Sequence, residues 1–372
     1  LARWARRTES AAVMAELRET VDELLDSLAA DCPGCPVILS SRPLGRGRLR
    51  SDYPRLELQP LPRETQRAFL EKWFEHAEDP NPEGQAHKAL AHFHGSRGLQ
   101  ALADNPLYLT LLAVLWLHAP KMPQKPADLY DQVLDLLLRG LHKPRPGPIP
   151  AAKKVRRALG ALAYGMTEAD HMAESAEDLE DRLRHSGLRA LRLELEEVDP
   201  WKKDLFHFLN EVYERTHILG PHDGRDQEWR FWHRTFREAL TAEQLRRAHG
   251  DDVESLAQWA ADLADDRGQA AGEDHREGRG EGRWAEPLAL LAGRLPNPDD
   301  LIKRLAEVNP DLALRAMVFT QGLQTETLVH TLGLADDLEK RAKVFQQIPD
   351  QLGDPEACLA LVKQLKAAMA LE

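Results

Sequence analysis

The run Phe231-Trp232-His233-Arg234-Thr235-Phe236-Arg237-Glu238-Ala239-Leu240-Thr241-Ala242 constrains the fold more than any other stretch, because it places a histidine where an extended segment turns into a helix. Upstream, Asp226 to Trp232 follows a turn signal at His222-Asp223-Gly224, and Thr216 to Leu219 before that turn is β-branched and apolar. The two segments read as a hairpin. Trp201 to Tyr213 reads as a helix leading into it, and a helix, a hairpin and a second helix make a winged-helix element. The second helix is expected to bury Phe236 and Leu240, spaced i, i+4. His233 then sits near its N-terminus, where unpaired N–H groups and the helix dipole favour an anion such as phosphate.

Composition sets the surroundings of this element. The chain has 372 residues, too many for one small core, and is 30% charged and 42% hydrophobic with only 6% aromatic. These values fit a mostly helical protein of two or three packing units in which sheet is minor. The net charge of -12 argues against nucleic acid as a partner of the whole surface. The local run Lys153-Lys154-Val155-Arg156-Arg157 reads as a solvated helix face. The longest apolar run, Pro106 to Leu117, is far short of the roughly 20 residues that cross a bilayer, so a buried helix is expected and no membrane span. The start at Leu1 has no secretory h-region and no initiator Met, which suggests a cytoplasmic fragment of a longer chain. Cys32-Pro33-Gly34-Cys35 precedes a strand and lacks the further ligands of a zinc site, so it reads as a loop with incidental thiols. His87, His92 and His94 do not share the i, i+4 face used for zinc.

The pattern F-x-H-x-T-F-x-E-x-L-x-A at Phe231 resembles the winged-helix end of the NACHT family, the signalling ATPases of the STAND class. Two upstream blocks stand in the order that family requires. Val37-Ile38-Leu39-Ser40-Ser41-Arg42-Pro43 is similar to its sensor-1 strand, and Asn105-Pro106-Leu107-Tyr108-Leu109-Thr110-Leu111-Leu112 to the block whose proline contacts adenine. The resemblance covers roughly residues 20 to 295.

The expected fold is therefore mainly α with a small α/β remnant. Residues 1–61 would be the end of a P-loop nucleotide-binding domain, 62–126 a helical domain and 127–249 a winged-helix domain. Residues 250–372 would be irregular, HEAT-like helical repeats. Within the second domain helices are expected at Arg63 to His76, Gly84 to His94 and Leu107 to Leu117. The helix after Asp128 should bury one stripe of Leu129, Val133, Leu136 and Leu137. Asn297-Pro298, Asn309-Pro310 and Asp354-Pro355 each read as a capped helix start with Pro at N1. The segment 265–283 is Gly-rich, charged and almost without large apolar side chains, so it reads as a flexible linker.

No G-x-x-x-x-G-K-S/T loop is found in the sequence, and no apolar strand ending in paired acids precedes residue 37. A phosphate cradle and magnesium carboxylates are thus missing. The resemblance implies ATP or ADP with Mg as cofactor, and ATP hydrolysis, for a full-length parent, with neither expected of this chain alone. It also implies a nucleotide-controlled switch in bacterial signal transduction or phage defence, acting on protein partners or by self-oligomerisation. Nucleotide-binding residues implied by the resemblance are Arg42 at the γ-phosphate, Pro106 and Leu107 at adenine, and His233 at the β-phosphate of ADP. Read without it, Arg42 is a turn arginine, Pro106 a helix start and His233 a packing or capping histidine. No catalytic triad, paired catalytic carboxylates or metal site stands out, and the acidic pairs read as solvated. The alternative function is a non-enzymatic helical adaptor whose winged helix binds protein or DNA, with Arg234, Arg237, Arg246 and Arg247 as its positive charge. Limited trypsin digestion should cut first within 265–283 and leave a folded piece ending near residue 265; protection there would show a packed segment instead.

Overall fold

The computed structural model describes residues 59–95, 97–119, 121–123, 126–139, 152–185, 205–222, 225–249, 254–259, 283–320 and 322–334, with Glu23, residues 27, 28, 30–32 and Lys363 besides. The chain divides into two units, Leu1–Gln59 and Pro60–Glu372. Little of the first is described. Cys32 there is exposed and free. Val37 to Ser40, Arg42, Cys35, Arg55 to Leu58, Asp354-Pro355 and all of 265–283 except Arg283 lie outside the described residues.

The described part of the second unit is mainly helical with one small three-stranded sheet. Its first helices are α1 (Arg63–His76), α2 (Pro82–His94), α3 (Arg97–Ala103) and α4 (Pro106–His118). Three of them match expectation closely. The short α3 goes beyond the sequence expectation, because Gly95 precedes it, Gly98 lies in its first turn and seven residues are too few to show a helical period. Asparagine followed by proline starts α2 and α4: Asn81 accepts from Gly84 N–H and Asn105 from Leu107 N–H, while Pro82 and Pro106 occupy positions whose N–H needs no partner.

Next come α5 (Pro126–Leu138), α6 (Ala152–Ala169), β1 (Glu174–Ser175), α7 (Ala176–His185) and α8 (Leu205–Thr216). Strands β2 (Leu219–His222) and β3 (Arg225–Phe231) lead into α9 (Arg234–His249). The sheet order is β1-β3-β2, antiparallel throughout, with Glu174 opposite Trp229 and Leu219 opposite Phe231. Thr216, expected in a strand, instead ends α8. Its hydroxyl donates to Val212 C=O and accepts from Ile218 N–H, and His217 takes a left-handed φ of 54° that stops the helix. β1 was not foreseen, since two residues carry no alternation. Gly220 lets the Tyr213 ring of α8 lie against β2, where a Cβ would stand 3.0 Å from the ring.

Helix α5 is buried more widely than one stripe. Leu129, Tyr130, Val133, Leu134, Leu136 and Leu138 are all inside, while Leu137 is half-buried. α9 is more enclosed still, with every residue from Phe236 to Ala242 buried among α5, α6, α10 (Ala285–Arg294) and β3. α6 reaches it through small residues: a Cβ on Gly160 would lie 3.5 Å from Leu240 C=O, and the Thr167 and Thr241 hydroxyls meet at 3.1 Å. Helices α11 (Asp299–Val308), α12 (Pro310–Phe319) and α13 (Thr325–Leu334) complete the order. Asn309 caps α12 with Pro310 at N1, as expected, but Asn297 caps nothing: α11 starts one residue later, with Pro298 itself at the cap and no side-chain bond. Gly293 lets α10 touch the end of α12, where a Cβ would stand 2.6 Å from Phe319 C=O. Among the described residues no helix is long and apolar enough to cross a membrane.

The run Lys153 to Arg157 is not a solvated face at its centre. Arg156, whose side chain is 13% exposed, donates to Asp131 at 2.5 Å, Asp135 at 2.6 Å and Glu243 at 2.7 Å. Arg294, at the end of α10, donates to the same Asp131 at 2.6 Å and to Ala239 C=O at 3.0 Å. Burial pulls the Asp131 carboxyl upward, but Arg294 and Arg156 outweigh it and hold the group below its usual value. Four helices are thus pinned by two arginines. Asp131→Ala should cost about 3 kcal/mol, the low end for breaking a buried pair, because its side chain keeps 37% exposure. Asp135, 51% exposed on the same arginine, should cost under about 1 kcal/mol when changed to Ala. Urea unfolding midpoints of the two variants check the contrast.

Candidate functional site

Two helix N-termini carry the candidate residues. Pro106 opens α4, exposed to solvent, and Leu107 behind it is half-buried against the core. The turn before them is held from below. Leu61 N–H donates to Asp104 C=O, and the fully buried Gln66 amide donates to both Leu61 C=O and the Asp104 carboxylate. His94 bonds the Gln66 oxygen at 2.9 Å, and burial, aided by Arg63, lowers its pKa. His94 therefore supports this turn, while His92 packs on Trp116.

His233 stands one residue before α9. Its ring meets the Phe236 edge at 5.9 Å and is half-buried, and that burial lowers its pKa, favouring the neutral imidazole. Trp232 N–H donates to Ile218 C=O, which fixes the strand end that presents the histidine.

The two N-termini are joined by a run of edge-to-face rings. His233 touches Phe236, Phe236 lies 6.5 Å from Tyr130, and Tyr130 lies 5.9 Å from Tyr108, two residues into α4. Pro106 and His233, 127 positions apart in numbering, thus border one packed body. Arg42 lies outside the described residues.

Close to these rings are buried polar groups that the sequence analysis does not single out as a site. Glu238 is 5% exposed and receives Arg234 Nε at 2.6 Å; Glu286 Oε2 pairs with the Arg315 charge at 2.5 Å but without hydrogen-bond geometry. Burial, reinforced by Glu286 and opposed by Arg234, pushes the Glu238 carboxyl up to about 7. Burial, then Glu286, raises the Tyr108 phenol to about 12. Burial also lifts Tyr130, whose hydroxyl and that of Thr235 have no partner in bonding geometry. The available sequence signal was a phenol or carboxylate at helix positions otherwise filled by Leu and Ala: Tyr130 beside Leu129, Glu238 beside Ala239 and Leu240.

The proposed basic face of α9 is largely occupied. Arg237 is buried, donates to His171 C=O and has its pKa lowered by burial. Arg234 is taken by Glu238 and Arg247 by Glu243; Arg246 is exposed. Among the described residues no group of three His, Cys, Asp or Glu side chains is placed to hold a metal ion. Compared with known proteins, the chain matches no family model and no curated protein.

Tyr130→Phe removes a hydroxyl that meets those of Tyr108 and Thr235 without full bonding geometry, while keeping the ring contacts. Its unfolding free energy should change by less than about 1 kcal/mol, whereas Phe236→Ala, which breaks the ring run, should lose about 3–5 kcal/mol. Paired denaturation curves check both.

Proposed function

We propose that this chain is the helical and winged-helix portion of a NACHT-type STAND switch, in which ADP bound by a longer parent holds the protein closed and ATP exchange opens it for signalling. The observation that carries the reading is the run of rings joining the Pro106 and His233 helix starts, because a nucleotide contacted by both needs them fixed relative to each other. The element order supports it as well: helix, short strand, two helices, hairpin and helix from α6 to α9 is a winged-helix order, with the histidine where the last strand enters the last helix. In this reading Pro106 offers adenine a rigid apolar surface without a competing N–H, Leu107 backs it, and Arg42 reads the γ-phosphate. Neutral His233 donates to the β-phosphate beside the α9 dipole. ATP or ADP with Mg is the cofactor of the parent, and residues 1–61 are the tail of its nucleotide-binding domain.

A second reading, an adaptor that docks protein, draws on one observation: Trp232, beside His233, is 56% exposed and Phe206 is 46% exposed, large apolar surface that a partner would cover. The pairing of Arg234, Arg237 and Arg247 speaks against DNA as that partner.

Calorimetry separates the readings. The chain alone should bind ATP or ADP weakly, and micromolar affinity would overturn the view that its phosphate cradle lies elsewhere. In the parent, His233→Ala should weaken ADP by roughly tenfold to hundredfold, the worth of one hydrogen bond to a charged group, and raise basal signalling. Unchanged ADP affinity with a strongly destabilised chain would make His233 a packing residue.

A further inference from the structure

Two buried carboxylates stand on different helices that pack on each other. Glu238 lies one turn into α9, Glu286 in the first turn of α10, and α9 packs directly on α10. Both are almost wholly inside, and Glu286 acts on Glu238 as a like charge. Each is balanced by a more exposed arginine reached on its outer side: Arg234 at 27% and Arg315 at 42% side-chain exposure, against 7% and 11% for their acids. Water therefore screens the attraction of each acid to its arginine more than the repulsion between the acids. Apolar packing and Arg294, which bonds Ala239 C=O one residue from Glu238, oppose that repulsion.

We propose that Glu238 and Glu286 form a proton-governed latch between α9 and α10, closed while Glu238 carries a proton and loosened when that proton passes to solvent. The latch does not depend on nucleotide binding. The groups facing it are Arg234 and Arg237 on α9, Glu286 and Arg294 on α10, Arg315 on α12, and the phenols Tyr108 and Tyr130 on α4 and α5. α6 meets α9 farther along, through Arg156 on Glu243 and Thr167 on Thr241. Both phenols are raised, to about 12 for Tyr108 and higher for Tyr130, so they stay protonated near neutrality and supply no compensating charge change. The carboxyl that titrates near 7 when closed would titrate near its ordinary 4.5 once open. Its folded value is raised, so the closed state binds the proton more tightly, and closure weakens as pH rises from about 4.5 through 7. Because His233 stands immediately before α9, loosening at this contact alters what supports that histidine from behind.

Hydrogen–deuterium exchange of the whole chain tests this, comparing pH 6 with pH 8 after scaling exposure times for the intrinsic rate of amide exchange. Relative to α1 and α2, opening of 285–319 should increase roughly tenfold between the two pH values, the ratio that a shift from 4.5 to about 7 gives. Glu238→Gln should abolish the increase, and Glu286→Gln should shrink it by removing the like charge. The histidines are the same in every variant, so the comparison isolates the carboxyls. An unchanged pH response in Glu238→Gln would overturn the latch, as would wild-type exchange that rises equally in α1 and α2. If Glu238→Gln does not fold, an undiminished response in Glu286→Gln overturns it.

Discussion

Helix α9 has no solvent-facing side from Phe236 to Ala242, and the arrangement around it follows from that. Phe236, Ala239, Leu240 and Ala242 gain from burial, but Arg237, Glu238 and Thr241 are buried with them. A buried polar group costs free energy unless it finds a partner, so α9 is stable only where neighbouring elements supply one. Each does. The loop before β1 gives the His171 carbonyl to Arg237, α6 gives the Thr167 hydroxyl to Thr241, and α10 returns Arg294 to the Ala239 carbonyl. The sheet, the small-residue face of α6 and the C-terminal helices are thus held in register by one helix.

The two ends of α9 solve this problem to different degrees. At the C-terminal end, Glu243 shares Arg156 with Asp131 and Asp135, and Arg294 takes up the rest of the Asp131 charge. Cations and acids alternate in that cluster, and each of its members has an opposite neighbour. At the N-terminal end, Glu238 feels the like charge of another buried acid, and the Tyr130 and Thr235 hydroxyls lack a partner in full bonding geometry. A satisfied network rigidifies, whereas a partly satisfied one stores a preference that a proton or a moved neighbour can tip. The less satisfied end is the one beside His233 and the ring run to Pro106. A helix fixed at one end and adjustable at the other suits a protein that changes state, which accords with the proposed switch.

Much of the helical framework was legible along the chain. Arg63 to His76 is where the periodicity put it, and Asn105-Pro106 opens a capped helix because that chemistry is local. Local chemistry also misled in places. Thr216 is β-branched, yet its hydroxyl found a carbonyl within its own helix and ended α8 there. Asn297-Pro298 resembles Asn309-Pro310, but only the second has its helix start at the right residue to use the cap. Of the site, Pro106 and His233 were visible as types at turning points; that they border one aromatic body was not.

The sequence by itself determined where the helices run, which of them begin on asparagine and proline, and that a histidine marks the passage from hairpin to helix, because these depend on neighbours within one or two turns. Only the tertiary structure decided which charges are inside. Arg156 lies in a basic run that reads as a solvated helix face, and Glu238 in a helix whose neighbouring arginines read as its charged surface. Their fates separated because Asp131, Asp135 and Glu243 come together around Arg156, while α10 brings the like charge of Glu286 near buried Glu238. Whether a charge is paired, repelled or left in water is set by residues tens to more than a hundred positions away, and their approach depends on how whole helices pack.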